Sequence, residues 1–133
     1  WVYKKGGKGE EFVNFDEGEF VDLNKYEINN LINNADMIET YFILKNSKLF
    51  IGSDSSNMHL AVTANIPTIG LFGPTDEKLY GPLGKNNLSL RGDKSFSEIV
   101  NQLDYKPGKT QSYLDDLSVT KVYKEIEKVL YNK

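Results

Sequence analysis

The clearest pattern of hydrophobic and polar positions lies in the middle of the chain, where two short apolar runs alternate with polar breaks. The first run, residues 49–51, is followed by the polar residues 53–57 and then by an amphipathic segment at 58–64. The second run, Thr68–Phe72, ends at the break Gly73-Pro74-Thr75. This order predicts a strand, a loop, a helix and a second strand, which together form one βαβ unit with parallel neighbouring strands.

The two polar breaks should lie side by side, because the carboxyl ends of neighbouring parallel strands meet at the edge where open α/β sheets bind ligands. In the first break, Ser55 or Ser56 can cap the helix, and the first turn behind it carries backbone N–H groups without partners. Together with the helix dipole, these donors favour a phosphate. His59 falls in the same turn and can face the anion, neutral or protonated. Simple capping by the serines and an ordinary surface histidine are the open alternatives.

Upstream of this unit, the pattern predicts further strands and helices. Residues 1–5 are predicted as a strand, and Glu10 and Glu11 open a short helical stretch after a glycine-rich loop. Segments 20–23 and 28–32 are both possible strands, and we place one strand at 28–32. An acidic cap at residue 36 with a glutamate three residues later predicts a helix from 37 to 45. The side chains that this helix is expected to bury are Met37, Tyr41, Phe42 and Leu44.

Downstream, the chain is predicted to form one helical turn at 76–80, a strand at Asn87–Arg91, a helical segment at 95–103 and a loop at 105–111. Ser118 caps a last amphipathic helix that runs to residue 131. Its apolar face consists of Val119, Val122, Tyr123, Ile126, Val129 and Leu130. Because strands and helices alternate throughout, the predicted fold is a three-layer, Rossmann-like α/β sandwich with a mostly parallel sheet.

The composition of the chain favours one globular domain over residues 1–133. Its 39% apolar and 26% charged residues are ordinary for such a protein, and the net charge of −3 argues against a nucleic-acid partner. The absence of cysteine and the single histidine argue against disulfides and zinc, so we expect no metal and no cofactor. No apolar run approaches the roughly 20 residues that cross a bilayer, which predicts a cytoplasmic location. Because the first residue is Trp1 and not methionine, we interpret the chain as a fragment of a longer polypeptide.

The order of residues in the central stretch resembles the signature of glycosyltransferase family 9, which includes the lipopolysaccharide heptosyltransferases. The resemblance is carried by Asp54-Ser55-Ser56-Asn57-Met58-His59-Leu60-Ala61, by Ile66-Pro67 and by Leu71-Phe72-Gly73-Pro74-Thr75-Asp76. Ser56 stands where the family usually has glycine, which adds a Cβ near the path of the phosphate. Asn57 stands at the first helical position, where the family usually has proline, so it loses the preset φ but keeps one more donor.

The resemblance implies that the chain is the carboxyl-terminal, donor-binding half of an enzyme with two Rossmann-like domains, the arrangement called GT-B. By the same resemblance, Ser55, Ser56 and Asn57 would hold the donor diphosphate, with His59 nearby. Asp54 would brace the loop or touch the sugar. Gly73, Pro74 and Thr75 would line the other side of the donor pocket. Gly7 and Glu10 lie in a Gly-Gly-x-Gly-Glu run similar to the family segment in which a glutamate holds the donor ribose.

The partners implied by the resemblance are a nucleotide-diphospho-sugar donor, with an ADP-sugar favoured, and a lipopolysaccharide or other surface-glycan acceptor. The family's general base comes from the amino-terminal domain, so no catalytic residue is expected in this fragment, which alone should be inactive. Membrane association would be at most peripheral, at the inner face of the cytoplasmic membrane. Transfer would need no metal, because a helix N-terminus stabilises the leaving diphosphate.

Three other functions fit parts of the same pattern. A sugar-nucleotide epimerase of GT-B fold would use a similar donor domain, but it would need more acid–base residues near the diphosphate. A receiver-like signalling domain could use Asp54 as phosphoacceptor with Thr75 and Lys106-Pro107, but it needs an acidic pair after its first strand, where this chain has glycines. A non-catalytic nucleotide-binding domain agrees with the departures at Ser56 and Asn57.

Overall fold

The structure is a computed structural model, and it describes residues 3–5, 10–13, 20–22, 35–107 and 113–131. The chain divides into two compact units, residues 1–35 and residues 36–133. That residues 1–133 form a single domain stays a prediction.

The first unit contains a three-stranded antiparallel sheet with the strand order β1-β2-β3, formed by β1 (Tyr3–Lys5), β2 (Glu10–Val13) and β3 (Phe20–Asp22). The strand predicted at the start of the chain is therefore confirmed. The helical stretch predicted to begin at Glu10 and Glu11 is wrong, because these residues belong to β2. The register places Glu11 opposite Lys4 and Glu10 opposite Lys5. The strand predicted at 28–32 lies outside the described residues.

The second unit contains a three-stranded parallel sheet with the order β4-β5-β6, formed by β4 (Phe50–Ser53), β5 (Thr68–Phe72) and β6 (Asn87–Arg91). Helix α2 (Ser56–Thr63) connects β4 to β5. The short helix α3 (Glu77–Tyr80) lies between β5 and β6. The predicted parallel βαβ unit, helical turn and last strand are therefore confirmed. Because all three strands run in one direction, the loops that follow them share the carboxyl edge of the sheet.

The helices of the second unit form layers on both faces of this sheet, which confirms the predicted three-layer α/β fold. Successive residues of the chain, Leu49 and Phe50, pack into different core clusters. On one face, helix α1 (Met37–Lys45) and α2 contribute Leu44 and Ala61 to the first cluster. On the other face, the last helix α5 (Val119–Tyr131) packs on the second cluster of Ile69, Leu90 and Leu117. The α5 side chains in that contact are Val122, Ile126 and Val129.

Helix α1 begins where its capping signal predicts. The Asp36 carboxylate accepts hydrogen bonds from the backbone N–H groups of Ile38 and Glu39, both at 2.8 Å, and the Glu39 carboxylate accepts from the Asp36 N–H at 2.9 Å. The predicted burial of Met37 and Phe42 is wrong, since these side chains are 72% and 56% exposed. The helix packs on its neighbours through Leu44 and Tyr41, so its other apolar side chains do not reach the core of the second unit.

Two other helices are shorter or more exposed than predicted. Helix α4 (Phe96–Val100) ends well before residue 103, and Leu103 is fully exposed. Helix α5 is capped by Ser118 as predicted, because its hydroxyl accepts from the Lys121 N–H at 3.2 Å. Tyr123 is 58% exposed and does not belong to the packed face of α5.

Gly70, in the middle of β5, allows α2 to approach the sheet closely. A Cβ at this position would lie 2.6 Å from the Met58 sulfur and 2.7 Å from the Phe72 ring. Met58 and Phe72 are themselves completely buried. The packing of α2 on β5 thus fixes where the first turn of α2 stands at the carboxyl edge.

Candidate functional site

The first turn of α2 presents unpaired backbone donors at the carboxyl edge of the sheet. Ser55 is the N-cap by its extended backbone, but its hydroxyl caps no N–H group. Its carbonyl accepts from the Met58 N–H at 3.1 Å and from the His59 N–H at 3.4 Å. The N–H groups of Ser56 and Asn57 donate to no acceptor in the part of the chain that the structure describes. These two N–H groups are the donors that an anion would need.

This end of the helix is open. Ser55, Ser56 and Asn57 are all exposed, and the first turn of α2 contains no acidic residue. The structure corrects one detail of the prediction, because Ser56 is the first helical residue and Asn57 is the second. An Asn N–H at the second position is as unpaired as one at the first, so the correction leaves the number of free donors unchanged.

Asp54 directly follows β4, and His59 lies in the first part of α2, so these two residues stand on either side of the open turn in the sequence. The His59 Nε2 lies 3.8 Å from the Asp54 carboxylate, with side-chain exposures of 54% and 20%. This separation is too long for a hydrogen bond, but it is short enough for electrostatic attraction when the imidazole is protonated. The structure therefore brings together five of the predicted site residues, Asp54, Ser55, Ser56, Asn57 and His59.

The loop after β5, residues 73–75, shares the carboxyl edge with the α2 start, since β4 and β5 are neighbouring parallel strands. Gly73 is buried, and Pro74 and Thr75 are partly exposed. Arg91 at the end of β6 donates to the carbonyl oxygen of Gly73, and to that of Thr75 at 2.5 Å. The loop is thereby tied to the neighbouring strand.

Arg91 is a residue that the sequence reasoning missed. Its guanidinium also forms an ion pair with Glu77, with a distance of 3.0 Å from Nε to the carboxylate. The hydrogen bond from Arg91 lowers the pKa of Glu77 below its ordinary value, against a smaller opposing effect of burial. The only signal in the sequence was an arginine ending an apolar strand, which cannot reveal contacts 14 to 18 residues away.

The loop after β6 is closed to ligands by the protein itself. The Asp116 carboxylate accepts from the Asp93 N–H at 2.9 Å and from the Lys94 N–H at 3.2 Å. The Lys121 ammonium donates to the Arg91 carbonyl oxygen at 2.9 Å. The Asp93 and Lys94 N–H groups of this loop are therefore occupied, unlike those of Ser56 and Asn57 at the start of α2.

Two other predicted residues and one cavity lie elsewhere. Glu10 belongs to β2 of the first unit, and Gly7 lies outside the described residues, so their contact with a ribose stays a prediction.

A cavity of about 100 Å³, lined by residues that include Asn65 and Asn87, lies at the opposite, amino edge of the parallel sheet. It is too small for a nucleotide sugar, since ligand pockets usually measure about 300 Å³ or more. The candidate site is instead the open turn at the carboxyl edge.

The described part of the chain has neither a metal-binding cluster nor a helix that could span a membrane. It contains no group of three or more histidine and carboxylate side chains that could hold a metal ion. In the same residues, no helix is long and apolar enough to span a bilayer.

Comparison with known proteins gives one family and one curated relative. The family profile described as glycosyltransferase family 9 (heptosyltransferase) matches residues 16–107, a range that includes the start of α2 and the loop at 73–75. The chain is similar to lipopolysaccharide heptosyltransferase 3 of Escherichia coli, with 30% identity over 89 residues. The aligned part is 66% of this chain and 25% of that protein, so the chain spans about a quarter of the relative's length. No solved structure matches the chain.

Proposed function

Because the chain belongs to glycosyltransferase family 9, we propose that it is the donor-binding domain of a two-domain glycosyltransferase of GT-B architecture. The observation that carries the proposal is the open start of α2, where the N–H groups of Ser56 and Asn57 have no acceptor among the described residues. A nucleotide-diphospho-sugar offers the diphosphate that such a site would bind. The proposed reaction is transfer of a hexosyl or heptosyl group from this donor to a glycan.

The chemistry of the leaving group explains why such a site is useful. When the bond between the sugar and the diphosphate breaks, negative charge builds up on the leaving diphosphate. The unpaired N–H groups and the dipole of α2 stabilise that charge without a metal ion. The hydroxyl groups of Ser55 and Ser56 can add hydrogen bonds of their own. A protonated His59, held near Asp54, adds positive charge at the same turn.

The remaining donor contacts are assigned by the family resemblance. By this resemblance the loop Gly73-Pro74-Thr75 would line the other side of the donor pocket, and Gly7 and Glu10 belong to a sequence run similar to the family segment that holds the ribose. We propose an ADP-sugar as the preferred donor. The relative's name supports a lipopolysaccharide as the acceptor class.

The other half of the reaction requires residues outside this chain. A general base must take the proton from the acceptor hydroxyl, and we propose that an amino-terminal domain supplies it. The chain alone should therefore bind donor weakly and transfer nothing. The proposed location is the cytoplasm, with at most peripheral association at the inner face of the cytoplasmic membrane.

Two measurements test this function. Calorimetric titration of the full-length protein with ADP-, UDP- and GDP-sugars should show saturable binding, tightest for an ADP-sugar. Failure to bind any nucleotide sugar would contradict the proposal. In a sugar-transfer assay, the full-length protein should turn over while the 133-residue chain should not, and robust turnover by the chain alone would contradict the two-domain mechanism.

A further inference from the structure

We propose that Arg91 is a positioning residue for the donor diphosphate, because it holds the loop at 73–75 in the shape that borders the open start of α2. This inference rests on the function proposed above. Its evidence is separate, since Arg91 belongs to β6 and lies outside residues 54–76, whose motif carries the family resemblance.

The guanidinium of Arg91 is almost fully occupied by protein groups. Its Nε and Nη2 donate to the Glu77 carboxylate, Nη2 also donates to the Thr75 carbonyl, and Nη1 donates to the Gly73 carbonyl. These bonds use four of its five N–H donors. The side chain is only 10% exposed. Because its donors are bound to protein groups, the Arg91 guanidinium can hold the loop in place, while the N–H groups of α2 contact the ligand.

The hydrogen bonds of Arg91 determine whether the loop oxygens are free to turn. The carbonyl oxygens of Gly73 and Thr75 accept from Arg91, so they are held and not available to a ligand at the same edge of the sheet. If Arg91 were removed, these partly negative oxygens could turn toward the diphosphate and repel it. Arg91 therefore holds the loop in a shape in which these two carbonyl oxygens do not repel the donor.

The fork of the guanidinium is needed because three acceptors lie on different sides of it. Lysine has three donors around a single nitrogen and cannot reach two carbonyl oxygens and a carboxylate in the same planar arrangement. Glu77 orients the guanidinium, and its side chain is 30% exposed. Glu77→Gln keeps an oxygen acceptor for Arg91 and removes the charge, so it is the matched control for loss of the ion pair alone.

The test is calorimetric titration of the full-length protein with ADP at a temperature where each variant is fully folded. Arg91→Gln should raise the Kd at least tenfold, because the loop carbonyls lose their donors. Arg91→Lys should raise it about threefold to tenfold. Glu77→Gln should change it less than threefold although it breaks the same ion pair. Arg91→Lys decides the question if Arg91→Gln does not fold.

The outcomes separate the inference from the proposed function. If the wild type and the Arg91 variants bind ADP equally, the inference is overturned and the proposed function stands. If Glu77→Gln weakens binding as much as the Arg91 variants do, the ion pair is only structural and the inference is overturned as well. If the wild-type protein binds neither ADP nor any nucleotide sugar, both fall together.

Discussion

Replacement of Asn57 by aspartate changes one charge at the proposed diphosphate site and almost nothing else. The two side chains have the same shape, Asn57 is exposed, and no acidic residue is present in the first turn of α2. The new carboxylate would stand among the unpaired N–H groups of this turn. It should therefore stabilise the helix and at the same time repel a bound diphosphate.

The expected magnitudes have opposite signs. A negative charge at a helix N-terminus contributes about 0.3–1 kcal/mol to stability. Two like charges about 5 Å apart repel each other by roughly 3 kcal/mol at an effective dielectric constant of about 20. Exposure to water and salt should reduce this to about 1.4 kcal/mol, which is roughly a tenfold rise in the Kd for ADP.

The chain offers a matched control at the other end of the same helix. Asn65 follows the C-cap of α2, is exposed and has a positive φ of 59°. Asn65→Asp makes the same chemical change at the negative end of the dipole, so it should cost about 0.3–1 kcal/mol and leave ADP binding unchanged. Urea unfolding gives the stabilities, and calorimetry on the full-length protein gives the affinities.

The reasoning fails if the two variants behave alike. Equal ADP affinity in Asn57→Asp and wild type would show that no diphosphate binds at the start of α2. Loss of stability in Asn57→Asp would show that its N–H groups do not form the positive end of an open helix.

Three further predictions concern the second unit. The hydrogen bond from Arg91 lowers the pKa of Glu77, so the ionised carboxylate stabilises the fold above its ordinary pKa of about 4.5, and this stability is lost as the pH falls through the lowered pKa. The difference in free energy of unfolding between wild type and Glu77→Gln should therefore shrink on acidification. A difference that does not change with pH would contradict this. Met58→Ala should lower the free energy of unfolding by roughly 2–5 kcal/mol, because Met58 is completely buried. Met37→Ala should change it by no more than about 0.5 kcal/mol in the same urea titration, because Met37 is 72% exposed. Gly92→Ala should lower the free energy of unfolding by about 1–3 kcal/mol, since its Cβ would lie 1.8 Å from the Asp116 carboxylate and would displace it from the two loop N–H groups that it accepts from; unchanged stability would show that this carboxylate moves aside without cost.

The second unit was largely predictable because local signals and periodicity agree there. Alternating apolar runs and polar breaks determine the βαβ unit, and the acidic cap of α1 determines where that helix begins. Burial on α1 was not predictable in the same way. Its sequence is apolar around most of its circumference, so only the packing of neighbours decides that Leu44 is buried and Phe42 is exposed.

The helix predicted after the first strand was wrong because a glycine-rich segment before two glutamates is compatible with a second antiparallel strand as well as with a helix. The choice depends on long-range pairing, here of Glu10 and Glu11 with Lys5 and Lys4. At the candidate site, residues 54–59 were identifiable because they are contiguous in sequence. Arg91 was not, because its contacts join residues far apart along the chain.

The most direct test of the central claim is a titration of the ¹⁵N-labelled full-length protein with ADP, followed by the backbone amide resonances in NMR spectra. The amides of Ser56 and Asn57 should show the largest shifts, because their N–H groups would gain acceptors that no described residue supplies. Unchanged resonances at these two positions, or shifts centred on Asn65 and Asn87 at the opposite edge of the sheet, would contradict the account.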